Sequence, residues 1–470
     1  MVFTRKNMRV IIYDDSEVSM KFKSFDEMLL HNAKNHADDT ALAYDEDGQI
    51  KHLTYATLYD EIQARKTQIE HLDANCVGIL QAPSIKWIID MYACVLARKQ
   101  TVLLDPMSEA AVIQAQVLAT DVETLLTDGL TAPYASKLKI APSEKVSLAD
   151  GEGNILFFTS GTTHSSKAVV LTSKSLCASA WNGQAKCPCN ASDNLLCMLP
   201  LTHVFGFVCA MLWPMSQGAC VSITRGMRYI AKDCDYFKPT IISVVPSILK
   251  FLIGFNALND ELRMILVGAG PATEQMLAAA KAKGIEVRFG YGLTETSSGV
   301  AISCGENPFA MSVCPDDEIM LGEDGEILIR CPECIMQGYY KNKEATDEVL
   351  VDGVLHTGDL GRFDEDGNLY ITGRKKDVIV LENGNKIFLP EWENQIAEQL
   401  GLEDAALAIK DDAITLFVGN GDGFLNVSFL KEKLAAFNKN KPFNMQITRL
   451  EVLPHKLPRT ATGKVKRYEL

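Results

Sequence analysis

The chain is poor in cationic residues, with 46 lysines and arginines against 60 aspartates and glutamates and a formal net charge of −14. Because affinity for nucleic acid or an anionic membrane depends on neutralising phosphates with cations, this deficit argues against both kinds of binder. The thirteen cysteines are odd in number and scattered through 470 residues, unlike the dense framework of a small disulfide-bonded secreted protein. We therefore expect reduced thiols, a cytoplasmic location and no nucleic-acid partner.

The sequence also lacks the signals of membrane insertion. An uncharged stretch from Asn194 to Thr224 is interrupted by Pro200 and Pro214, which argues against a spanning helix. It predicts instead a buried strand ending at Pro200, a turn and a buried helix. The N-terminus has no apolar core of a signal peptide. The expectation is a protein without a transmembrane segment.

The pattern of apolar residues divides the chain into two kinds of structure. Up to about residue 291, short apolar runs such as Cys76–Leu80 alternate with helical patterns such as Ile85–Leu96. This alternation predicts an α/β architecture of parallel sheets covered by helices on both faces. From about residue 315, Asp-Gly pairs separate short extended segments, which predicts hairpins in a small β unit. A charged link at 374–377 indicates a domain boundary, followed by a tail that mixes helix with strand.

The segment FFTSGTTHSSK, from Phe157 to Lys167, leads an apolar strand into a loop of hydroxyl residues that ends in a lysine. Hydroxyl and backbone N–H groups are neutral donors and lysine adds a compact positive charge, so the loop suits an oligophosphate. It does not fit the Walker A pattern. Composition alone is more typical of a Ser/Thr-rich surface loop.

Further segments of similar character follow along the chain. They are LPLTHVFG at 199–206, VGAGP at 267–271, YGLTE at 291–295, TGD at 357–359, GRKKD at 373–377 and LPRTATGKVKR at 457–467. The VGAGP segment fails the dinucleotide fingerprint, because Thr273 occupies the position of its third glycine. Taken singly, His203 is typical of a core histidine, Asp359 of a turn and Lys464 of an exposed basic tail.

Together and in this order, these segments resemble the adenylate-forming superfamily of acyl-CoA synthetases, luciferases and peptide-synthetase adenylation domains. They are most similar to the bacterial fatty-acyl-CoA synthetases. The resemblance implies an α/β fold with a large N-terminal domain, residues 1–375, made of two helix-covered, mostly parallel sheets plus a small β-barrel-like unit. It also implies a small mobile α+β C-terminal domain, residues 377–470, that turns about a hinge at Lys376.

The resemblance assigns roles to individual residues. The catalytic residues would be Lys464, Glu295, His203 and Thr294, with Glu295 also binding Mg²⁺. The ATP-binding residues would be Thr159, Ser160, Gly161, Thr162, Thr163, Lys167, Gly268, Ala269, Gly270, Pro271, Tyr291, Gly292, Asp359 and Arg374. The acyl pocket would be formed by His203, Val204, Phe205, Phe207 and Val245.

The implied activity is that of an acid–thiol ligase. ATP, with Mg²⁺, would activate a carboxylic acid to an acyl-adenylate, and a thiol, most simply that of coenzyme A, would displace AMP. The apolar pocket residues favour an apolar or fatty acid. One alternative is an acyl-carrier-protein ligase, in which the basic tail meets an acidic carrier and its pantetheine arm. A second is a catalytically weakened nucleotide-binding homologue, because His164, Ser166 and Ala168 depart from the family's loop pattern.

Overall fold

The computed structural model describes residues 20–129, 132, 134–140, 151–159, 167–270, 272–375, 378–380, 386–402, 404–410, 413–421, 425–439, 441, 445–459 and 465–470. The α-helices are α1 Phe25–Asn35, α2 Tyr55–Glu70, α3 Ile85–Leu96, α4 Ala110–Ala119, α5 Ser173–Lys186, α6 Val204–Phe207, α7 Trp213–Ser216, α8 Ile230–Phe237, α9 Pro246–Gly254, α10 Glu274–Lys281, α11 Lys343–Val349, α12 Leu389–Leu400 and α13 Val427–Asn438. Short 3₁₀ turns lie at Ala135–Lys137, Met227–Tyr229, Thr294–Thr296 and Arg467–Glu469, and a π-helical segment lies at Val208–Leu212.

The strands belong to four sheets. They are β1 Thr40–Glu46, β2 Gln49–Thr54, β3 Cys76–Leu80, β4 Gln100–Leu103, β5 Thr124–Thr127, β6 Ile155–Phe158, β7 Ala168–Leu171, β8 Asn194–Cys197, β9 Cys220–Ile223, β10 Ile241–Val244, β11 Met264–Val267, β12 Glu286–Leu293, β13 Ser298–Ser303, β14 Met311–Val313, β15 Glu318–Leu321, β16 Glu326–Arg330, β17 Gly338–Tyr339, β18 Leu350–Val351, β19 Val354–Phe363, β20 Leu369–Arg374, β21 Val378–Val380, β22 Lys386–Phe388, β23 Ala405–Lys410, β24 Ala413–Gly419 and β25 Arg449–Leu453.

The largest sheet has fourteen strands in the order β15-β16-β19-β20-β14-β13-β12-β11-β10-β8-β9-β1-β2, with β18 on the flank of β19. Its β8 to β12 part is parallel, and β13 to β20 pair antiparallel. Strand β12 joins the two parts, because its first half pairs parallel with β11 and its second half antiparallel with β13. The sheet therefore changes from parallel to antiparallel along one strand.

The second sheet has the order β17-β7-β6-β4-β3-β5. Strands β3 to β6 are parallel, whereas β7 folds back on β6 and β17 adds antiparallel to β7. One hydrophobic core joins residues of both sheets with helical residues, including Phe157 of β6, Val221 of β9 and the fully buried Trp87 of α3. Each sheet has a parallel part, which confirms the predicted α/β class, but antiparallel strand pairs outnumber parallel ones in the fourteen-strand sheet.

The small β unit differs from its predicted form. Strands β13 to β16 and β18 to β20 continue the edge of the fourteen-strand sheet, which runs as an open path from β15 to β2. No closed barrel is present among the described residues, so the barrel-like expectation is wrong. Asp-Gly turns correctly indicate hairpins, but a turn carries no information about which strand lies on the far side of each hairpin.

Local capping explains why several helices begin where they do. The Ser84 hydroxyl accepts from the Trp87 N–H over 3.1 Å, which starts α3 at the predicted Ile85. The apolar pattern predicts a helix over Ser108–Ala119, but α4 begins at Ala110. The Ser108 N–H is already used in a turn to the Asp105 carbonyl.

The stretch predicted as strand, turn and buried helix forms β8 and then a helical run from Val204 to Ser216. Its middle is π-helical over Val208–Leu212, directly before Pro214. Proline has no N–H to donate to the preceding turn, so a wider turn there accommodates it. Ser243 donates to the Cys209 carbonyl of this segment over 2.7 Å. Among the described residues, no helix combines the length and apolarity that crossing a membrane requires.

Near the C-terminus, β23, β24 and β25 form a separate three-strand sheet, and β21 pairs with β22. Helices α12 and α13 pack on the three-strand sheet through a core of their own that includes Trp392, Ile396, Leu416 and Phe437. This region therefore has both a sheet and a hydrophobic core that are distinct from those of the preceding residues.

All thirteen cysteines fall within the described residues, and none forms a disulfide. Burial raises the pKa of most of these thiols, for example that of Cys76 to about 12. Cys304, in the segment between β13 and β14, is the exposed member of the set. The expected reduced state agrees with this arrangement, because a buried neutral thiol is chemically inert.

Candidate functional site

The carboxylate of Asp359 is held at both oxygens. Asp359 on β19 lies opposite Arg374 on β20, and the Arg374 Nε–H donates to Asp359 Oδ1. The Tyr291 hydroxyl, from β12, donates to Asp359 Oδ2 over 2.9 Å. Burial, reinforced by Asp359, raises the pKa of Tyr291, so its hydroxyl remains a donor. The structure thus brings together three residues predicted for ATP binding, around an acceptor that suits vicinal hydroxyls.

The turn that presents Asp359 depends on Glu326, which the sequence analysis did not identify. Gly358 has φ of +69°, a left-handed conformation that favours glycine. Its N–H donates to Glu326 Oε1 over 2.9 Å, and the Asp359 N–H donates to the Thr357 hydroxyl over 3.0 Å. Glu326 comes from β16 and is 8% exposed. No local sequence pattern could have identified Glu326, because its partner is distant in the chain.

Glu295 lies in the 3₁₀ turn that follows β12, with Thr294 at the start of the same turn. The Tyr339 hydroxyl donates to Glu295 Oε1 over 2.7 Å, and the Glu295 carbonyl accepts from the Met336 N–H over 2.8 Å. Burial first, and then Glu295, raises the pKa of Tyr339 well above its usual value. Tyr339 therefore stays protonated and orients the carboxylate predicted to bind the metal.

The backbone beside Glu295 is strained. Ser297 has φ of +55° and Ser298 has φ of +127°, although neither is glycine. The Ser297 hydroxyl holds its segment by donating to the Cys334 carbonyl over 2.6 Å. At Gly292, a Cβ atom would lie 1.7 Å from the Ser298 carbonyl oxygen, so only glycine fits. Such conformations persist where the surrounding structure enforces them, and they cluster at functional sites.

The predicted phosphate loop starts and ends on paired strands. Thr159 follows β6 and Lys167 precedes β7, and the Thr159 N–H donates to the Lys167 carbonyl over 3.0 Å. The Lys167 N–H in turn donates to the Thr159 hydroxyl over 3.2 Å. The Lys167 ammonium lies 4.5 Å from the centroid of the Tyr339 ring, an attractive cation–π contact. Through Tyr339, Lys167 and Glu295 are brought to the same place.

His203 precedes α6, and its carbonyl accepts from the Phe207 N–H over 2.9 Å. Its Nε2 atom, like Thr202 Oγ1, is buried and hydrogen-bonds to nothing within the described part of the chain. Burial lowers the pKa of His203, and nearby Asp105 offsets part of that effect. The imidazole is therefore held neutral, with one ring nitrogen that a ligand could satisfy.

Gly268, Ala269 and Gly270 follow β11, at the carboxyl edge of the parallel strands next to β12. A Cβ atom on Gly268 would lie 3.0 Å from the Phe205 ring, and Ala269 has φ of +59°. The two glycines let this backbone pack closely against Phe205 and Pro246. Ligands of α/β sheets commonly bind at this edge.

The predicted acyl-pocket residues differ in burial. Phe205 and Val245 are partly buried and pack against one core cluster. Val204 and Phe207 are buried in the other, larger cluster, where the Phe207 ring lies 5.3 Å from the Phe157 ring and 6.3 Å from the Trp87 ring. Phe207 is therefore a hydrophobic-core residue.

Seven of the predicted site residues lie outside the described residues. They are Ser160, Gly161, Thr162, Thr163, Pro271, Lys376 and Lys464. The nearest described residues on either side of Lys464 are Arg459 and Val465, and they form an isolated antiparallel β-bridge.

A cavity of about 350 Å³ is lined by residues of β12, β14, β19 and β20 and of the segment between β13 and β14. Its apolar lining residues are Phe289, Phe309, Met311 and Ile371, and its polar ones are Glu274, Asn307, Arg362, Tyr370 and Thr372. Phe289 precedes Tyr291 by two residues on β12, and Thr372 precedes Arg374 by two residues on β20, so the cavity and the Asp359 group are built on the same strands.

The chain matches the family model described as "AMP-binding enzyme" over residues 29–340. Among curated proteins, it is 28% identical over 468 residues to 2-succinylbenzoate–CoA ligase of Bacillus cytotoxicus, covering 89% of this chain and 93% of that protein. It is 30% identical over 336 residues to the ligase of the same name from Listeria innocua, covering 67% of this chain and 69% of that protein.

Solved structures agree on the fold. The chain superposes on the O-succinylbenzoate coenzyme A synthetase of Bacillus subtilis in complex with AMP with a TM-score of 0.81, at 23% identity, over 94% of this chain and 97% of that one. The same synthetase in complex with ATP and a magnesium ion aligns with a TM-score of 0.78 at 23% identity, over 94% and 98% of the two chains.

Proposed function

The chain belongs to the AMP-binding enzyme family, and on that premise we propose that it joins an aromatic acid of the 2-succinylbenzoate class to coenzyme A at the cost of ATP. It is an adenylate-forming acid–thiol ligase that uses ATP, Mg²⁺ and coenzyme A. The choice of acid rests on the relatives, whose names give 2-succinylbenzoate as the acid and coenzyme A as the acceptor. The expectations of a fatty acid and of a carrier protein find no support among them.

The reaction has two steps that share one site. In the first, a carboxylate oxygen of the acid attacks the α-phosphorus of ATP, and the bond to pyrophosphate breaks to give an acyl-adenylate. In the second, the sulfur of coenzyme A attacks the acyl carbonyl carbon, the bond to AMP breaks, and the thiol proton is released. Both steps need the AMP part of the nucleotide to stay in place.

The observation that carries this proposal is Asp359, held between Tyr291 and Arg374. An ionised carboxylate can accept hydrogen bonds from both ribose hydroxyls, and its two protein donors fix the direction of its lone pairs. The cavity lined by Phe289 and Ile371, on the strands that carry Tyr291 and Arg374, would take the base. The backbone of Gly268 to Gly270, at the carboxyl edge of the parallel strands, would lie against the nucleotide.

Glu295 and Lys167 would face the phosphates. Glu295 presents a carboxylate oriented by Tyr339, the kind of oxygen ligand that Mg²⁺ prefers. No cluster of three or more metal-ligating side chains occurs among the described residues, so the remaining ligands would come from phosphate and water. When bound, the ion neutralises phosphate charge and orients the triphosphate. Lys167, held over the Tyr339 ring, adds a fixed positive charge beside it.

The pocket for the acid would lie beside His203. Its neutral imidazole has an unpartnered ring nitrogen that can accept or donate one hydrogen bond, while Val204, Phe205 and Val245 supply apolar contact. The apolar side chains would contact the aromatic ring of the acid, and the imidazole would hydrogen-bond to one of its oxygens.

The C-terminal part, residues 377–470, would act as a lobe that turns about Lys376 and brings Lys464 to the phosphates during the first step. Its separate sheet and core support this division. A lysine brought in this way would stabilise charge on the phosphates as pyrophosphate leaves.

Acid-dependent ATP–pyrophosphate exchange tests the proposal. Purified protein should exchange with 2-succinylbenzoate, and far less with decanoate or with phenylalanine, and formation of the coenzyme A thioester should follow. Lys464→Ala should lose about 100-fold or more in exchange, by analogy with the loss of one charge-stabilising donor. Lys431→Ala, which removes an exposed lysine from the same tail, is the matched control.

Three results would contradict parts of this proposal. Exchange with decanoate but not with 2-succinylbenzoate would overturn the choice of acid. Tight ATP binding without exchange for any acid would favour the nucleotide-binding homologue. Full exchange by the Lys464→Ala protein would remove the role of that lysine.

A further inference from the structure

Lys375 is held between two carboxylates. Its ammonium lies 2.7 Å from Asp324 Oδ2 and 2.7 Å from Glu326 Oε2. The ammonium donates hydrogen bonds to both carboxylates, and these bonds raise the pKa of Lys375, with Asp324 contributing more than Glu326. The ammonium therefore stays charged and is held from two sides. Lys375 belongs to the GRKKD segment, but Asp324 and Glu326 lie outside the segments that carried the family resemblance.

Both carboxylates belong to the large sheet. Asp324 lies in the turn between β15 and β16, where its Oδ1 accepts from the Glu326 N–H over 3.1 Å. Glu326 begins β16 and pairs across to Leu360 of β19. Its Oε1 accepts from the Gly358 N–H, so its two oxygens bind two different partners. The anchors of Lys375 are thus part of a rigid, hydrogen-bonded framework.

Lys375 occupies a particular place in the chain. The residue before it, Arg374, ends β20 and is bound to Asp359. The residue after it is Lys376, the proposed pivot, which lies outside the described residues. Beyond that, β21 pairs with β22 and with no other strand of the described chain. The side chains of Arg374 and Lys375, the two residues before the pivot, are therefore both bound to residues of the large sheet.

We propose that Asp324 and Glu326 are positioning residues that clamp Lys375 and so fix the stationary end of the hinge about which the C-terminal lobe turns. This inference rests on the two-step function proposed above. A pivot confined to one residue needs a rigid support, because looseness there displaces the whole lobe and its lysine. A misplacement of about 1 Å in a reacting group can cost roughly 100-fold in rate.

The partial exposure of the clamp makes a merely structural role distinguishable. The Lys375 and Asp324 side chains are 40% and 49% exposed, whereas that of Glu326 is 10% exposed. Ion pairs between exposed side chains contribute little to folding stability. Asp324→Asn should therefore leave the melting temperature nearly unchanged while it slows both half-reactions that depend on lobe placement.

The experiment compares Lys375→Met, Glu326→Gln and Asp324→Asn with the wild-type protein. Glu326→Gln keeps an oxygen that accepts from Gly358 but removes the charge that holds Lys375. Lys375→Arg is the conservative rescue. Arg330→Met is the matched control. Arg330 lies on β16, the strand that begins at Glu326, and pairs with Glu318 of β15 over 2.7 Å, so it has no part in the clamp.

Three quantities are measured for each protein: pyrophosphate exchange with varied ATP, single-turnover transfer from isolated acyl-adenylate to coenzyme A, and the melting temperature. We expect Lys375→Met and Glu326→Gln to lower kcat in both half-reactions by about 10-fold, within the range of positioning effects, with the KM for ATP within about 2-fold of wild type. Lys375→Arg should recover most of the rate.

The inference is overturned if Lys375→Met and Glu326→Gln behave like Arg330→Met in both half-reactions. It is also overturned if the variants raise the KM for ATP and leave kcat unchanged, because the clamp would then serve the Asp359 turn instead of the pivot. If Lys375→Met does not fold, Glu326→Gln and Lys375→Arg decide the question. Failure of the proposed function is a separate result, since the wild-type protein would then show no exchange with any acid.

Discussion

The hydroxyl of Tyr339 offers the sharpest test of how the phosphate end of the site is arranged. It donates to Glu295 Oε1 over 2.7 Å, while the ring of the same side chain lies under the Lys167 ammonium at 4.5 Å. Tyr339→Phe removes the first contact and keeps the second. Tyr339→Leu removes both. The two variants therefore separate the orientation of Glu295 from the placement of Lys167.

The expected size follows from the kind of bond lost. A hydrogen bond to a charged acceptor contributes about 1.5–3 kcal/mol, and each 1.36 kcal/mol in the barrier is tenfold in rate. If the full contribution is made in the transition state, Tyr339→Phe should lower kcat/KM for pyrophosphate exchange by about 10- to 100-fold. The variant should also need more magnesium for half-maximal rate. Tyr339→Leu should lose more, because the cation–π contact of Lys167 disappears as well.

The adjacent tyrosine supplies the control. The Tyr340 hydroxyl donates to the Asp121 carboxylate over 2.8 Å, the same kind of bond in a place without predicted site residues. Exchange is measured over a magnesium titration for Tyr339→Phe, Tyr339→Leu and Tyr340→Phe. A Tyr339→Phe protein with the wild-type rate and magnesium dependence, or a Tyr340→Phe protein that falls equally far, would refute the reasoning.

Three further predictions concern other groups. Asp359→Asn should raise the KM for ATP about 10-fold or more, because it removes the charge that Arg374 and the ribose share; a change in kcat alone would argue against that contact. Burial lowers the pKa of His203, so its folded form resists protonation and the wild-type melting temperature should fall as pH drops below about 6.5; His203→Gln should flatten that fall, and an unchanged pH curve would contradict the assignment. Burial first, and then Asp316, raises the pKa of Asp317 from 3.8 to about 7, so stability should decline as pH rises through that interval; Asp317→Asn should abolish the decline in thermal unfolding, and its persistence would exclude Asp317 as the cause.

Much of the fold could be predicted from local sequence patterns. Strand β3 and helix α3 have the predicted bounds, because a continuous apolar run predicts a buried parallel strand and the Ser84 cap defines where the helix starts. The pattern of the tail predicts a helix over Glu391–Leu400, and α12 begins two residues earlier, since a proline can occupy the first turn of a helix. Such features depend on residues that are neighbours in the sequence, so the sequence alone can predict them.

The remaining features depend on contacts between distant segments. The antiparallel strands were expected, but not that they continue the large sheet through β12, because pairing across a sheet leaves no local signal. Tyr339 and Glu326 were missed for the same reason: their partners Glu295 and Lys375 are 44 and 49 residues away. The family resemblance supplied Asp359, Arg374 and Tyr291, whose convergence no periodicity could have predicted.

The distribution of cysteines makes the protein suitable for labelling without mutagenesis. Only Cys304 is exposed among the thirteen thiols, and its loop also contains Phe309, which lines the cavity together with Phe289 of β12. A brief exposure of the native protein to a fluorescent maleimide should therefore attach a single dye next to that cavity. Such a dye would report nucleotide binding as a change in emission, and mixing experiments could follow ATP entry before any chemistry occurs.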